Sequence, residues 1–156
     1  MFNVQCSMFK LHAIIGCDSG FGNRLAYKLN QNGFRVYATV LSAANEGSKQ
    51  LVRSAVFEDK MHVLEMDVTN DDNVRQVYEE VRNDLNSNGD QLWAVVNNAG
   101  VITFGHIEWG TIDDYKQVFE VNTFGAVRVT RIFAPLIKDS RGNFTKANYC
   151  SFNLST

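Results

Sequence analysis

Apolar and polar positions alternate between two periods along the chain, and the switches between them lay out its elements. Leu11, Ala13, Ile14 and Ile15 make a short strand-like run, after which Leu25, Ala26 and Leu29 recur at helical spacing until Asn32-Gly33 supplies a stop. Residues 34–40, rich in β-branched and aromatic side chains, predict a second strand. The three together make a βαβ unit, with parallel neighbouring strands and a right-handed crossover. A polar loop is expected over 41–47, a short helix over 49–56 and a third strand over 62–66, ending at Asp67-Val68-Thr69. Val74, Val77, Tyr78, Val81 and Leu85 then fall three and four apart behind an acidic turn, an amphipathic helix, and 86–90 reads as a loop.

The continuous apolar run Leu92-Trp93-Ala94-Val95-Val96 suits a central parallel strand covered on both faces. It delivers Asn97-Asn98-Ala99-Gly100 to the strand's carboxyl end. Thr111-Ile112-Asp113-Asp114 fits a capping box, opening a helix with Tyr115, Val118 and Phe119 on its inner face. That helix continues, or restarts after a break near 122–125, through Val129, Ile132, Phe133 and Leu136, with Pro135 distorting its last turn.

Between the first strand and first helix stands Gly16-Cys17-Asp18-Ser19-Gly20-Phe21-Gly22. A glycine turn in this place leaves backbone N–H groups at a helix N-terminus free for an anion, and lets a pyrophosphate approach where a Cβ would collide. A bulky residue at Gly20 is expected to block that approach. The spacing is Gly-x-x-x-Gly-x-Gly rather than the commoner Gly-x-Gly-x-x-Gly. If the first and fourth strands are neighbours, this turn and residues 97–100 converge on one edge of the sheet, where α/β folds take their ligands.

Composition narrows the classes. A chain of 156 residues, 45% hydrophobic and 21% charged, builds one core rather than two large domains. A formal charge of −2 and the absence of a Lys/Arg cluster give no case for nucleic acid or an anionic membrane as partner. No apolar run is long enough to span a bilayer, and the first residues lack the charged and apolar regions of a signal peptide, so an intracellular, cytoplasmic setting is expected. Cys6, Cys17 and Cys150 are odd in number and far apart, and His12, His62 and His106 are scattered, which indicates neither a disulfide framework nor a metal site. Asn143-Phe144-Thr145 has the form of a glycosylation acceptor, which the expected intracellular setting makes a chance match.

The ordered set formed by the glycine turn, Asp67-Val68-Thr69, Asn97-Asn98-Ala99-Gly100 and Val121-Asn122-Thr123-Phe124-Gly125 resembles the short-chain dehydrogenase/reductase family. The wording Cys17-Asp18-Ser19-Gly20-Phe21-Gly22-Asn23 is similar to its retinol dehydrogenase and 17β-hydroxysteroid dehydrogenase branch, and the likeness covers residues 11–142. The resemblance implies an α/β fold with a Rossmann-type doubly wound parallel sheet, here C-terminally truncated, with about four strands and flanking helices. It implies a partial dinucleotide-binding domain over 1–142 and a divergent tail over 143–156. It places Gly16, Ser19, Gly20, Phe21 and Gly22 around the phosphates of a nicotinamide dinucleotide, and Asp67 with Val68 near its adenine. Asn97, Ala99 and Gly100 would support the central strand and flank the nicotinamide ribose, and Asn122 matches the catalytic asparagine that holds a water of the proton relay. Residue by residue there is a plainer role as well: Asp67 as a helix cap, Asn122 at a helix break.

The family's alcohol or ketone chemistry on an apolar retinoid or steroid-like substrate uses a tyrosine, a lysine four residues on, and a serine. A phenol near pKa 10 needs such a cation to work near neutral pH. After Gly142 the chain reads Asn143-Phe144-Thr145-Lys146-Ala147-Asn148-Tyr149-Cys150-Ser151, polar where an apolar strand is expected, and Tyr149 is followed four residues later by Asn153. The chain is therefore expected to be inactive by itself, with a non-catalytic nucleotide-binding module, or one pairing into a homodimer through helices over 115–136, as the alternative. Neither an acid nor an arginine stands about 20 residues past the glycines, where residues 38–42 read Ala-Thr-Val-Leu-Ser, and Ser19 brings no charge. A 2′-phosphate finds nothing to pair with, so NAD is expected in preference to NADP.

Overall fold

Two faces are written into each inner strand. β1 (Leu11–Ile15) sends Leu11, Ala13 and Ile15 into one core and Ile14 into another, and β2 (Val36–Val40) divides Tyr37 from Val36, Ala38 and Val40 in the same way. With β3 (Met61–Glu65), β4 (Leu92–Asn97) and β5 (Asn143–Lys146) they form a five-stranded, wholly parallel sheet in the order β3-β2-β1-β4-β5. The computed structural model that gives this architecture describes residues 11–147.

Helices α1 (Gly20–Gln31) and α2 (Glu46–Ser54) bury Ala26 and Leu51 on one face. On the other, α3 (Asp71–Asn88) contributes Val74, Val77, Val81 and Leu85, and α5 (Ala126–Ser140) contributes Val129, Phe133 and Ile137. The sheet is thus doubly wound, as the sequence implies. A shorter α4 (Ile112–Phe119) runs through a π-helical turn (Glu120–Gly125) into α5, so of the two expectations the helix continues, with a widened turn where a break was the alternative. The helix passes Pro135 and ends at Ser140 on Arg141, whose φ is 53°.

The expected tail needs correction. Asn143–Lys146 pairs in parallel register with β4, Asn143 opposite Ala94 and Lys146 opposite Asn97, so the sheet has a fifth strand and the domain expected to end at residue 142 continues through it. The pairing is made by backbone groups, and at the edge of the sheet among the described residues it needs no apolar alternation beyond Phe144, which packs on the core while its three strand neighbours stay exposed. Gly142 makes the approach possible: a Cβ there would stand 2.1 Å from the Trp93 carbonyl oxygen. Tyr149, Ser151 and Asn153 lie outside the described residues. A smaller correction concerns α3, which runs on through Asn88 into the expected loop, its last turn held by Ser87 Oγ and Asn88 Nδ2 donating to the carbonyls of Asn83 and Asp84.

Phe133 joins the layers on the α3/α5 side. It is 1% exposed and meets Tyr78 edge-to-face at 5.5 Å between centroids. Phe133→Ala is expected to cost about 3–5 kcal/mol, read as a large loss in a denaturant or thermal melt; a loss under about 1 kcal/mol would show that α5 is not held there.

Candidate functional site

The strand order reverses between β1 and β4, which run side by side in the same direction. Their following segments therefore meet across the crevice at the carboxyl edge of the sheet. Asn98 carries the junction. Its backbone N–H donates to the Ile15 carbonyl at 3.2 Å and its Nδ2 to the Gly16 carbonyl at 2.7 Å. Gly16, at φ 82°, lies so close that a Cβ on it would come within 2.5 Å of Ala99 Cα, and a Cβ on Gly22 would meet Asn98 Nδ2 at 2.3 Å and the Gly16 carbonyl oxygen at 2.4 Å. From β2, the Thr39 carbonyl accepts from the N–H groups of Gly16 and Cys17 at 3.1 and 2.7 Å.

A cavity of about 400 Å³ opens beside this junction, walled by the glycine turn, Leu41, the segment after β3, the segment after β4, and Gln117 and Val121. Every expected cofactor residue lines it except Gly20, Gly22 and Asn97. Gly22 is buried against Asn98. Gly20 begins α1 at φ 65°, and a Cβ there would meet no other atom within 4 Å, so its constraint within the protein is backbone conformation rather than space. Asn97 points to the opposite side, its Nδ2 donating to Thr130 Oγ1 of α5 at 3.1 Å while its buried Oδ1 has no partner.

The start of α1 differs from the starts of α3 and α4. Asn70 Oδ1 accepts from the N–H groups of Asp72 and Asn73, and Thr111 and Asp114 close the predicted capping box in both directions. Each of those helices also has two aspartates in its first turn. At α1, Ser19 stands at the N-cap in extended conformation with no side-chain cap bond, and the first turn has no acid. No side chain caps the positive end of the α1 dipole, and Ser19 and Phe21 beside it line the cavity.

Asp67 does not cap α3, since its Oδ1 accepts from the N–H and Oγ1 of Thr69 at 2.9 and 2.8 Å and so folds the local turn. Asn122 is 2% exposed and pairs both ends of its amide with one residue: Oδ1 accepts from Val101 N–H and Nδ2 donates to the Val101 carbonyl, both at 2.8 Å. Cys17 turns its thiol into the core, donating to the Ile14 carbonyl at 3.3 Å; burial and then the neighbouring Asp18 raise its pKa far above the usual thiol range, which leaves it unreactive. Asp18 and Asn98 were not singled out by the sequence. For Asn98 a signal exists, because adjacent side chains at a strand end face opposite ways and only one of Asn97 and Asn98 can reach the glycine turn.

The family model described as short chain dehydrogenase matches residues 10–146. The chain is similar to D-beta-hydroxybutyrate dehydrogenase, mitochondrial, of Bos taurus, with 40% identity over 131 residues, 83% of this chain and 38% of that protein. Estradiol 17-beta-dehydrogenase 2 of Rattus norvegicus is 39% identical over 138 residues, 86% of this chain and 35% of that one. Among solved structures, a short-chain dehydrogenase from Streptomyces avermitilis superposes with a TM-score of 0.75 at 28% identity, over 88% of this chain and 48% of that chain. The chain thus spans well under half the length of the curated relatives it matches.

Gly22→Ala is expected to destabilise the fold by about 2–3 kcal/mol through overpacking on Asn98, and Gly20→Ala by only about 1 kcal/mol through its left-handed φ. Paired thermal melts check the order, and equal losses would contradict it. Asn122→Ala leaves both polar groups of Val101 without their partner and is expected to cost about 1–3 kcal/mol in the same measurement.

Proposed function

The chain belongs to the short-chain dehydrogenase family, on its retinol and steroid dehydrogenase branch, and from that premise we propose that it forms the nicotinamide-dinucleotide-binding part of an oxidoreductase acting on alcohol or ketone groups of an apolar substrate, retinoid or steroid-like. The observation that supports this reading best is the cradle between Gly16, Gly22 and Asn98-Ala99, with an uncapped helix start opening on the cavity beside it. A pyrophosphate needs both features, bare backbone to approach and free N–H groups to meet it. When bound, the nicotinamide supplies the hydride chemistry.

In this reading Gly16, Ser19, Gly20, Phe21 and Gly22 serve the phosphates, Asp67 and Val68 the adenine, and Ala99 and Gly100 the ribose nearer the nicotinamide. Asn97 supports the central strand through Thr130. Asn122 is a positioning residue: by holding Val101 it fixes the backbone that follows Gly100. NAD is preferred to NADP, and an intracellular, cytoplasmic setting is part of the proposal. No helix among the described residues is long and apolar enough to cross a membrane.

Hydride transfer also requires a proton to move at the substrate oxygen, help worth roughly 10²–10⁴ in rate. No tyrosine in the sequence is followed four residues later by a lysine. We therefore propose that this chain alone turns over no alcohol or ketone. A second reading, a non-catalytic module that pairs with its own copy, is favoured by one observation: Ile112, Phe119, Phe124 and Val127 lie exposed along α4, the π turn and α5.

The test is calorimetry with NAD⁺ on the purified chain, followed by NADH absorbance with retinol, a 17β-hydroxysteroid and a short-chain alcohol. Saturable NAD⁺ binding with no turnover above background is expected. Absence of binding would overturn the cofactor assignment, and turnover that disappears in Tyr149→Phe would overturn the assignment of inactivity.

A further inference from the structure

The second strand of a dinucleotide-binding sheet ordinarily ends on an acid that takes the adenosine ribose hydroxyls of NAD, and here it ends on Val40, Leu41 and Ser42. The structure brings an acid to that place from another element. Asp18, in the glycine turn, accepts from the Leu41 N–H with Oδ1 at 2.9 Å and Oδ2 at 3.0 Å, and Asn45 Nδ2 donates to Oδ1 at 3.1 Å. Resting on the dinucleotide reading above, we infer that Asp18 sets the choice of cofactor: its carboxylate accepts from the 2′-hydroxyl of NAD and repels the 2′-phosphate of NADP.

Three observations carry this. First, Asp18 lines the cavity together with Leu41, and its carboxylate, held on the Leu41 N–H, joins the glycine turn to the end of β2. Its two oxygens offer about four acceptor sites, which leaves capacity for a hydroxyl after the two protein donors are met. Second, the position is fixed. Asn23 Nδ2 donates to the carbonyls of Cys17 and Gly47 at 3.0 and 3.1 Å, and Gly47 lies so close that a Cβ on it would stand 1.8 Å from the Asp18 carbonyl oxygen. Third, the surroundings are of one sign. The cavity lining has two carboxylates, Asp18 and Asp67, and no Lys, Arg or His. On the far side of the 41–45 loop, Glu65 Oε1 accepts from the Ala43 N–H at 2.6 Å.

A site that merely lacked a cation would leave the 2′-phosphate unrewarded. A fixed carboxylate at that place acts against it, because like charges a few ångströms apart repel strongly enough in a partly desolvated site to move an affinity by about tenfold or more. Asp18→Asn separates this role from a structural one. The amide keeps an oxygen for the Leu41 N–H and loses the charge.

The experiment is calorimetric titration of the 156-residue chain, and of Asp18→Asn and Asp18→Ser, with NAD⁺ and with NADP⁺, each protein first shown to melt cooperatively. The unmodified chain is expected to bind NAD⁺ at least about tenfold more tightly, and both variants to shrink that ratio by about tenfold, mainly through tighter NADP⁺ binding. Raising salt from about 0.03 M to about 0.5 M should also shrink it in the unmodified chain, an arm that needs no variant to fold. A ratio that stays within about twofold in the folded variants, or an unmodified chain that prefers NADP⁺, overturns the assignment of Asp18 and leaves the dinucleotide site standing. Binding of neither cofactor overturns the dinucleotide reading and this inference with it.

Discussion

Two backbones meet at the ligand-facing edge of this sheet with no side chain between them, and the rest of the site depends on that contact. Gly16 and Gly22 close on Asn98-Ala99 to distances at which a single added carbon would overlap either backbone or amide atoms. The parallel register of β1 and β4, which sets Ile15 opposite Asn97, fixes where that contact falls. From it follow the direction of α1, whose third residue is Gly22, and the opening of its N-terminal N–H groups toward the cavity. Glycine's conformational freedom is needed at Gly16, where φ is positive, whereas at Gly22 the requirement is space alone.

The periodic parts of the fold were legible. The alternation in β1 and β2, the helical spacing of Val74 to Leu85 and the capping box at Thr111 are local signals, and each appears where the spacing puts it. β5 was not legible, because a strand at the edge of the described sheet takes its pairing from the neighbour's backbone and needs little of its own side chains. The family match also runs to residue 146, through that strand.

The site was read in part, for a related reason. Motif wording marks a segment but does not tell which of two adjacent side chains faces the ligand edge. Asn97 was expected there, and the strand's alternation gives the place to Asn98. Asp18 escaped because its partner, the Leu41 N–H, is 23 residues away in sequence and is brought near only when β1 and β2 pair. An acid missing from its usual position in the chain was not missing from that position in space.

The far wall of the cavity rests on one widened turn. In the π-helical segment Glu120–Gly125, Asn122 grips Val101 on the β4 side, and Gly125 packs so close to Val68 that a Cβ would come within 2.6 Å of its Cγ2. Arg128, one turn on, donates to the Val68 carbonyl at 2.6 Å and to Glu120 Oε1 at 2.9 Å, and its Nε donates to Asp71 at the start of α3. The segments after β3 and after β4 are thus both held from this one stretch of helix. A regular α-helical turn would rotate these residues relative to one another, and the two grips would lose their common register. This gives the π turn a physical reason to lie between α4 and α5, where the sequence left open a continuous helix or a break: it lets a single helix brace two walls of one cavity.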